Sequence, residues 1–126
     1  MSLFEDKILL ITGGTGTLGS YIIQNICNES PKEIIILSRN EYQQYLLKQK
    51  YKNVICKIGD ISNYKRVYEV TKNVDCVIHT AALKHVNISE DNPEEAIKTN
   101  ITGSSNVIKA CIENKVQKVI FISGNI

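Results

Sequence analysis

Residues 7–19 read KILLITGGTGTLG, and this stretch decides the fold of the chain. A short apolar run over residues 8–11 leads straight into a glycine-rich turn, after which apolar residues recur at helical spacing at Leu18, Ile22, Ile23, Ile26 and Cys27. A strand, a tight turn and a helix in this order form the first half of a βαβ unit. The first turn of such a helix offers unpaired N–H groups and a partial positive charge, so the stretch predicts a phosphate-binding site.

The glycines of this turn follow a recognisable spacing. Gly14-x-Gly16-x-x-Gly19 matches the fingerprint of dinucleotide-binding folds, which is weak evidence alone but gains weight between a strand and a helix. The alternative is an ordinary strand-to-helix turn that is rich in glycine. We predict a cofactor site whose contacts in this stretch come from Gly13, Thr15, Gly16, Thr17, Leu18 and Gly19.

Composition limits the class of protein. The 126 residues suffice for one domain, 43% of them are hydrophobic, and a formal charge of +2 is too small to indicate a nucleic-acid or anionic-membrane partner. No apolar run approaches the roughly 20 residues of a membrane-spanning helix and no secretory signal is visible, so we expect a cytoplasmic protein.

Cysteines 27, 56, 76 and 111 are widely spaced within apolar patterns, which favours buried free thiols over a disulfide or a zinc site.

The rest of the chain alternates strands and helices. Further strands are predicted over residues 33–38, 54–58, 75–79 and 118–123, and further helices over 41–50, 62–73 and 93–114. Continuous apolar strands suit a parallel sheet buried on both faces, so we predict an α/β fold with a doubly wound, Rossmann-like sheet in the order 3-2-1-4-5.

Two helix faces are predicted to pack on this sheet. In the helix over 41–50 the face contains Tyr42, Tyr45, Leu46 and Gln49. In the helix over 93–114 it contains Ile97, Ile101, Ser104, Ile108, Cys111 and Ile112.

The end of the second strand carries information about the cofactor. In a dinucleotide fold this point meets the adenosine ribose, where a carboxylate favours NAD and an arginine favours the 2′-phosphate of NADP. The strand ends in Ser38-Arg39, and no acidic residue follows until Glu41. We therefore predict NADP, with Ser38 and Arg39 among its contacts; the alternative for Arg39 is a solvated surface arginine.

Other polar residues follow the third and fourth strands. Asp60 and Ile61 are candidate cofactor contacts. Asp60 either accepts a hydrogen bond from an adenine amino group or caps the helix that begins near Ser62. Small residues, Ala81 and Ala82, permit close approach of a cofactor after the fourth strand.

The long loop and helix that follow supply three more candidates. Lys84 is a candidate cation for a pyrophosphate, and His85 is either a proton-transfer group or an exposed loop histidine. Asn100 shares the apolar side of its helix, so it either ties the loop in place or touches the cofactor.

These residues together resemble a known family. The chain is similar to the N-terminal part of extended short-chain dehydrogenases/reductases, and within them to nucleotide-sugar 4,6-dehydratases of the UDP-N-acetylglucosamine type, which serve polysaccharide biosynthesis. In that superfamily Gly13-x-x-Gly16-x-x-Gly19 is the typical glycine motif. The other matching stretches are SRNE (38–41), GDI (59–61), HTAALKHV (79–86), NP-x-EA (92–96) and TNI-x-G (99–103).

The resemblance implies a cofactor role for many of these residues. NADP would bind at the glycine turn, with Arg39 at the 2′-phosphate, Asp60 near adenine, and Ala81, Ala82 and Lys84 along the ribose and phosphates. The family reaction transfers hydride from sugar C4 to nicotinamide, eliminates water across C5 and C6, and returns hydride to C6. A UDP-sugar is therefore an implied partner.

The sequence departs from the family after its fifth strand. There the family has Ser-Thr-Asp-Lys-Ala, whereas this sequence has Ser123 followed by Gly124, Asn125 and Ile126, so only Ser123 remains of the catalytic set. Asn87 also replaces the usual proline. We expect one NADP-binding domain over residues 1–126, truncated before the substrate domain, with a hydrophobic sheet edge that favours a homo-oligomer.

Three functions remain open at this point. The chain is a dehydratase-like, lyase-type domain without catalysis, or a half of an enzyme completed by another chain, or a non-enzymatic dinucleotide-binding or interaction module. Whether it is an enzyme by itself is left undecided, because a serine without an activating base is a poor acid–base group.

Overall fold

The computed structural model describes residues 3–13, 17–81 and 93–123. Within these ranges, the side chains of Thr17, Ala81, residues 93–100 and Ser123 are not described. The strands are β1 (Ile8–Thr12), β2 (Glu33–Ser38), β3 (Val54–Ile58), β4 (Cys76–Ala81) and β5 (Lys118–Ser123). The α-helices are α1 (Thr17–Ile26), α2 (Glu41–Lys50), α3 (Tyr64–Val70) and α4 (Pro93–Glu113), and a short 3₁₀ turn, Cys27–Glu29, follows α1.

The five strands form one parallel sheet in the order β3-β2-β1-β4-β5. This order confirms the predicted doubly wound α/β fold. Strand β1 lies at the centre, where Leu10 pairs with Ile35 of β2 on one side and with Val77 of β4 on the other. The direction of winding reverses at β1, so the carboxyl ends of β1 and β4 flank a crevice in which such folds bind ligands.

The apolar core consists of two layers, one on each face of the sheet. Alternate residues of β1 belong to different layers because successive side chains of a strand point to opposite faces. Leu9 and Ile11 pack in the layer that includes α1 and α2, whereas Leu10 packs in the layer of α3 and α4. Both faces of the central strands are thus covered, which explains their continuous apolar sequences.

Two helices, α2 and α3, each begin after an asparagine that caps the first turn. The side-chain oxygen of Asn40 accepts a hydrogen bond from the Gln43 backbone N–H at 2.9 Å, and α2 begins there. Asn63 does the same for the Arg66 N–H at 3.3 Å, so α3 begins at Tyr64 and is shorter than the predicted helix over 62–73. A side-chain acceptor at this position satisfies one of the free N–H groups of the first turn.

Two predicted helix faces are wrong. In α2 the buried residues are Gln44 and Leu47, whereas Tyr42, Tyr45 and Leu46 are exposed. Gln44 occupies the buried face because its amide finds hydrogen-bond partners on two strands, which helical periodicity does not reveal.

In α4 the buried residues are mainly small ones. Gly103, Val107, Ala110 and Cys111 lie against the sheet or its neighbours, whereas Ile101, Ile108 and Ile112 are exposed. Of the predicted stripe, Cys111 is buried, Ser104 is half-buried and Ile97 lies outside the described side chains. Small side chains let this helix approach closely, and the isoleucines are left on its outer side.

The cysteines are free, as predicted, but not all are buried. Cys76 and Cys111 are buried, Cys56 is half-buried and Cys27 is exposed. The prediction for Cys27 is wrong because α1 ends at Ile26 and the 3₁₀ turn rotates the next residue away from the core.

Candidate functional site

The entry to the glycine turn requires glycine at its first position. Gly13 has a φ of +72°, and a Cβ atom there would lie 2.5 Å from the Oγ1 of Thr80. Its N–H donates a 3.0 Å hydrogen bond to the Leu37 carbonyl oxygen of β2. Both the backbone conformation and the available space exclude a side chain, as the dinucleotide motif implies.

Helix α1 begins directly after this turn. Thr17 is its first residue, Leu18 is half-buried and Gly19 is buried. The positive end of the helix therefore lies close to the carboxyl end of the central strand, where a phosphate would be bound. Thr15 and Gly16, which the sequence assigns to the same contact, lie outside the described residues, as does Gly14 of the glycine motif.

A buried polar cluster lies at the base of the turn. The Oγ1 of Thr12 lies 2.5 Å from Nδ1 of His79, and Nε2 of the same ring lies 2.9 Å from Oγ of Ser104. The hydroxyl of Thr80 donates to the carbonyl oxygen of Thr12 at 2.7 Å. Thr12 and His79 are each only 1% exposed, so this cluster belongs to the interior.

The imidazole of His79 is neutral in this environment. Burial lowers the pKa of His79 below its usual value of 6.5, because a charged ring would lose its hydration. A neutral imidazole donates from one nitrogen and accepts at the other, and hydroxyl groups on both sides can satisfy either arrangement. Sequence reasoning missed this cluster, although a histidine at the end of the apolar run Cys-Val-Ile was a usable signal because a buried polar group needs partners.

A second group of site residues lies at the ends of β2 and β3. The guanidinium Nη1 of Arg39 lies 3.6 Å from Oδ2 of Asp60, with side chains 75% and 37% exposed respectively. The fold thus brings together the two residues that the sequence assigned to the adenosine part of the cofactor. At this exposure the ion pair itself adds little stability, and the guanidinium remains accessible.

Asp60 caps a turn rather than a helix. Its Oδ1 accepts a 2.9 Å hydrogen bond from the Ser62 N–H, whereas Asn63 caps α3. Partial burial acts to raise the pKa of Asp60, but the hydrogen bonds from Ser62 and the charge of Arg39 outweigh it and lower the pKa. Asp60 is therefore ionised at neutral pH and able to accept a hydrogen bond.

Gln44 holds the ends of these two strands together. Its amide nitrogen lies 3.0 Å from Ser38 Oγ and donates to the Lys57 carbonyl oxygen at 2.7 Å. The side chain is 5% exposed. Ser38, a predicted cofactor contact, therefore has its hydroxyl oxygen engaged by the protein, and Gln44 is a positioning residue that the sequence analysis missed.

The loop after β3 is attached to α4. Asn106 donates through Nδ2 to the carbonyl oxygen of Ile61 at 2.9 Å. A Cβ atom at Gly103 would lie 2.4 Å from Cδ1 of Ile61, so the helix and the loop are in close contact. Ile61 is half-buried and directly follows Asp60 in the chain.

The remaining candidates are described only in part. Ala81 ends β4, where its backbone is in register with Ser123 of β5. Asn100 lies within α4, but its side chain is not described, and Ala82, Lys84 and His85 lie outside the described residues.

Among the described residues, His, Cys, Asp and Glu form no group that would hold a metal ion. Within the same part of the chain, no helix is long and apolar enough to cross a bilayer. At the carboxyl edge of the sheet, the described residues include an exposed cation, Arg39, and a carboxylate acceptor, Asp60.

The strand order and the helices on both faces define a Rossmann-type α/β domain. The family model described as "Polysaccharide biosynthesis protein" matches residues 9–125, and the chain belongs to this family. This finding confirms the resemblance deduced from the motifs.

Curated relatives and a solved structure agree with this membership. The inverting UDP-N-acetylglucosamine 4,6-dehydratase of Campylobacter jejuni is 46% identical over 125 residues, which are 96% of this chain and 37% of that protein. A UDP-glucose 4-epimerase of Rickettsia massiliae is 45% identical over 128 residues, with the same two coverages. The X-ray structure of Pen from Bacillus thuringiensis is 50% identical, with a TM-score of 0.88 over 95% of this chain and 38% of that one.

The similarity thus extends to nucleotide-sugar dehydratases and epimerases. The chain spans about 37% of the length of these curated relatives.

Proposed function

We propose that this chain is the NADP-binding part of a nucleotide-sugar 4,6-dehydratase of the UDP-N-acetylglucosamine type. The observation that carries the proposal is the arrangement at the carboxyl edge of the sheet. Gly13 lies at the entry to the turn with a φ of +72°, and the Arg39–Asp60 pair lies at the ends of the adjacent strands β2 and β3. The identity to a dehydratase of this name supports the substrate class.

The residues present fit a dinucleotide. Glycine at position 13 lets the start of the turn pack directly against Thr80 of β4, because a Cβ there would lie 2.5 Å from the Thr80 Oγ1. The N-terminus of α1 would bind the pyrophosphate through its N–H groups, with Leu18 and Gly19 in its first turn. Asp60 would accept a hydrogen bond from the adenine amino group.

The choice of NADP rests on Arg39. Its side chain is 75% exposed at the end of β2, and its neighbour Asp60 leaves it accessible to a 2′-phosphate. A guanidinium forms paired hydrogen bonds with phosphate oxygens, which favours the phosphorylated dinucleotide. Asp60 follows β3 rather than β2, so the position that would select NAD through a carboxylate is occupied by the cation.

The chemistry of the reaction would be divided between the cofactor and polypeptide beyond these elements. A bound nicotinamide would supply the hydride-accepting and hydride-returning chemistry of such a reaction. The role of this chain is to bind and orient the dinucleotide through its turn and the Arg39–Asp60 pair. Of the family's catalytic set after β5, only Ser123 matches, so we do not assign a general base to this chain.

A second candidate function is favoured by one surface. The exposed side of α4 and β5 forms an apolar groove of about 330 Å³, lined by Ile108, Cys111, Ile112, Val116, Val119 and Phe121. We name it the β5 groove. Its exposure supports an association, either of two copies of this chain or of this chain with polypeptide that completes an enzyme. Of these two associations, we propose the homo-oligomer first.

We also propose that the protein is cytoplasmic, because its four cysteines are free thiols, which suit a reducing environment.

Thermal unfolding with NADP⁺ and NAD⁺ in separate titrations tests the main proposal. A ligand at 100 times its dissociation constant adds about 2.7 kcal/mol of stability, which shifts the midpoint of a domain of this size by several degrees. We expect the larger shift with NADP⁺.

Three variants make the titration specific. Arg39→Gln should weaken NADP⁺ binding and leave NAD⁺ binding nearly unchanged, whereas Gly16→Val should abolish the binding of both. The control is Lys52→Gln, because Lys52 is an exposed cation that precedes β3, at the amino ends of the strands. This variant should change the binding of neither dinucleotide. The absence of a shift with either dinucleotide would contradict the proposal and favour the interaction module. Equal losses in Arg39→Gln and Lys52→Gln would contradict the assignment of the 2′-phosphate.

A further inference from the structure

One short segment of α4 contacts the bases of both loops that we assign to the cofactor. Through Ser104 it reaches the glycine turn, because Ser104 Oγ lies 2.9 Å from His79 and the other ring nitrogen lies 2.5 Å from Thr12. Through Asn106 it reaches the Asp60 loop, where Nδ2 donates to the Ile61 carbonyl oxygen at 2.9 Å. Residues 103–106 are therefore connected to both loops by polar contacts.

The close packing of the same segment adds a steric contact. A Cβ atom at Gly103 would lie 2.4 Å and 2.6 Å from two side-chain carbons of Ile61. The helix backbone thus rests directly against the residue that follows Asp60. Any shift of α4 along or across the sheet would be transmitted to Ile61 on one side and to Thr12 on the other.

We propose that residues 103–106 of α4 act as a brace that sets the glycine turn and the Asp60 loop at the separation that a dinucleotide requires. The proposal rests on the proposed function. His79 is a positioning residue in it: the ring links Ser104 to Thr12, which directly precedes Gly13. Thr80 also holds Thr12 in place, because its hydroxyl donates to the Thr12 carbonyl oxygen at 2.7 Å.

The surroundings of the His79 ring are uncharged on every described side. Thr12 contacts it from β1, Ser104 from α4, and the ring of Phe121 from β5 meets it edge-on at 5.2 Å between centroids. A neutral ring can donate to one hydroxyl and accept from the other, so the link is satisfied without a charge. An imidazolium here would be desolvated and would force both hydroxyls to act as acceptors.

Removal of single hydroxyls tests the brace. Thr12→Val and Ser104→Ala each remove one end of the link, and Thr12→Ser restores the hydroxyl. The matched control is Thr71→Val, because the buried Thr71 hydroxyl donates to the Val67 carbonyl at 2.9 Å and lies 2.7 Å from Asn114 Nδ2, remote from both loops. All three hydroxyl deletions should lower the melting temperature to a similar extent.

The dissociation constant for NADP⁺ distinguishes a brace from a merely structural role. We expect Thr12→Val and Ser104→Ala each to raise the dissociation constant about tenfold, which is the effect expected from the loss of one hydrogen bond. Thr12→Ser should restore the wild-type value. Thr71→Val should stay within about twofold of the wild type. Equal affinities in all variants, or equal losses in the control, would overturn the brace.

Amide hydrogen exchange without cofactor gives a readout that does not depend on the proposed function. The amides of residues 12–19 should exchange faster in Thr12→Val and Ser104→Ala than in Thr71→Val at matched stability. Unchanged protection would contradict the brace. Failure of the wild type to bind either dinucleotide, with the exchange difference still present, would contradict the proposed function and not the link from α4 to the turn.

A pH profile of stability tests the role of the buried ring. Burial holds the pKa of His79 in the folded protein below 6.5. At pH values between that lowered pKa and 6.5, the unfolded chain therefore binds more protons than the folded protein does. Stability should therefore fall as pH decreases through this window and then level off with respect to this group. His79→Gln, which keeps two polar atoms, should remove this part of the slope, and an unchanged slope would contradict a buried neutral ring.

Discussion

The two edge strands of the sheet, β3 and β5, differ in how their outer sides are covered. On β3, side chains donate to the carbonyl oxygens of the strand: Lys48 to Val54, and Arg66 through Nε to Ile58 at 3.0 Å. For β5, no hydrogen bond from a side chain to the strand backbone is found among the described residues. An edge whose carbonyl groups are satisfied by charged side chains offers little to a further strand, whereas an open one invites pairing.

The side chains of the two strands differ in the same sense. β5 contributes Val119 and Phe121, 37% and 47% exposed, to the β5 groove beside Ile108 and Ile112 of α4. β3 also exposes Ile55 and Ile58, 37% and 44%, but these lie three positions apart and so on opposite faces of the sheet, whereas Val119 and Phe121 share one face. The β3 edge is therefore covered by side chains of this chain, whereas the β5 edge keeps an exposed apolar face of the kind that packs against a neighbour.

The largest expected effect is on association through β5. Phe121→Asp should convert an oligomer to a monomer, because a carboxylate in the β5 groove would be desolvated by a partner. Light scattering at high protein concentration measures the mass, and Ile58→Asp on the exposed surface of β3 is the control. A wild type that is strictly monomeric, or an Ile58→Asp variant that also dissociates, would contradict the assignment of the interface to β5.

A smaller effect is expected within the β3 edge. Gln44→Leu should lower the free energy of unfolding by about 1–3 kcal/mol, since the part-buried Lys57 carbonyl and Ser38 hydroxyl would lose their donor. Urea denaturation measures the loss, with Gln49→Leu at an exposed position of the same helix as the control. Equal stability of the two variants would show that the amide does not hold β2 and β3 together.

The smallest expected effect comes from a single edge donor. Lys48→Met keeps the apolar stem but removes the ammonium group that donates to Val54. We expect a loss of about 0.5–1 kcal/mol in urea denaturation and no change in oligomeric mass, because Arg66 still donates to Ile58. New self-association of this variant would mean that the ammonium alone protects the β3 edge.

Much of the fold could be predicted from residues 7–19 and from the runs that follow. Continuous apolar segments such as Glu33–Ser38 indicated parallel strands, and Pro93 marked the beginning of α4. The structure confirms these elements and their order. The faces of α2 and α4 could not be predicted, because a buried Gln44 and an outward Ile112 reverse what hydrophobicity alone suggests.

The site was predicted in part for a similar reason. Arg39 and Asp60 follow neighbouring strands, and parallel strands end at the same edge, so their proximity followed from the sheet order. The link from Thr12 through His79 to Ser104 was missed. Thr12 and His79 lie 67 positions apart in the chain, and His79 and Ser104 lie 25 positions apart. No local sequence pattern encodes such a pairing.

The sequence by itself determined the elements, the sheet order and the glycine turn, because strand and helix periodicity and the conformational needs of glycine are local properties. Family membership also followed from motifs that can be read along the chain. Only the tertiary structure decided which polar groups are buried together, which helix faces meet the sheet and which edge remains open. Those outcomes depend on contacts between residues far apart in the chain, and each is settled by the packing and hydrogen bonds of the folded whole.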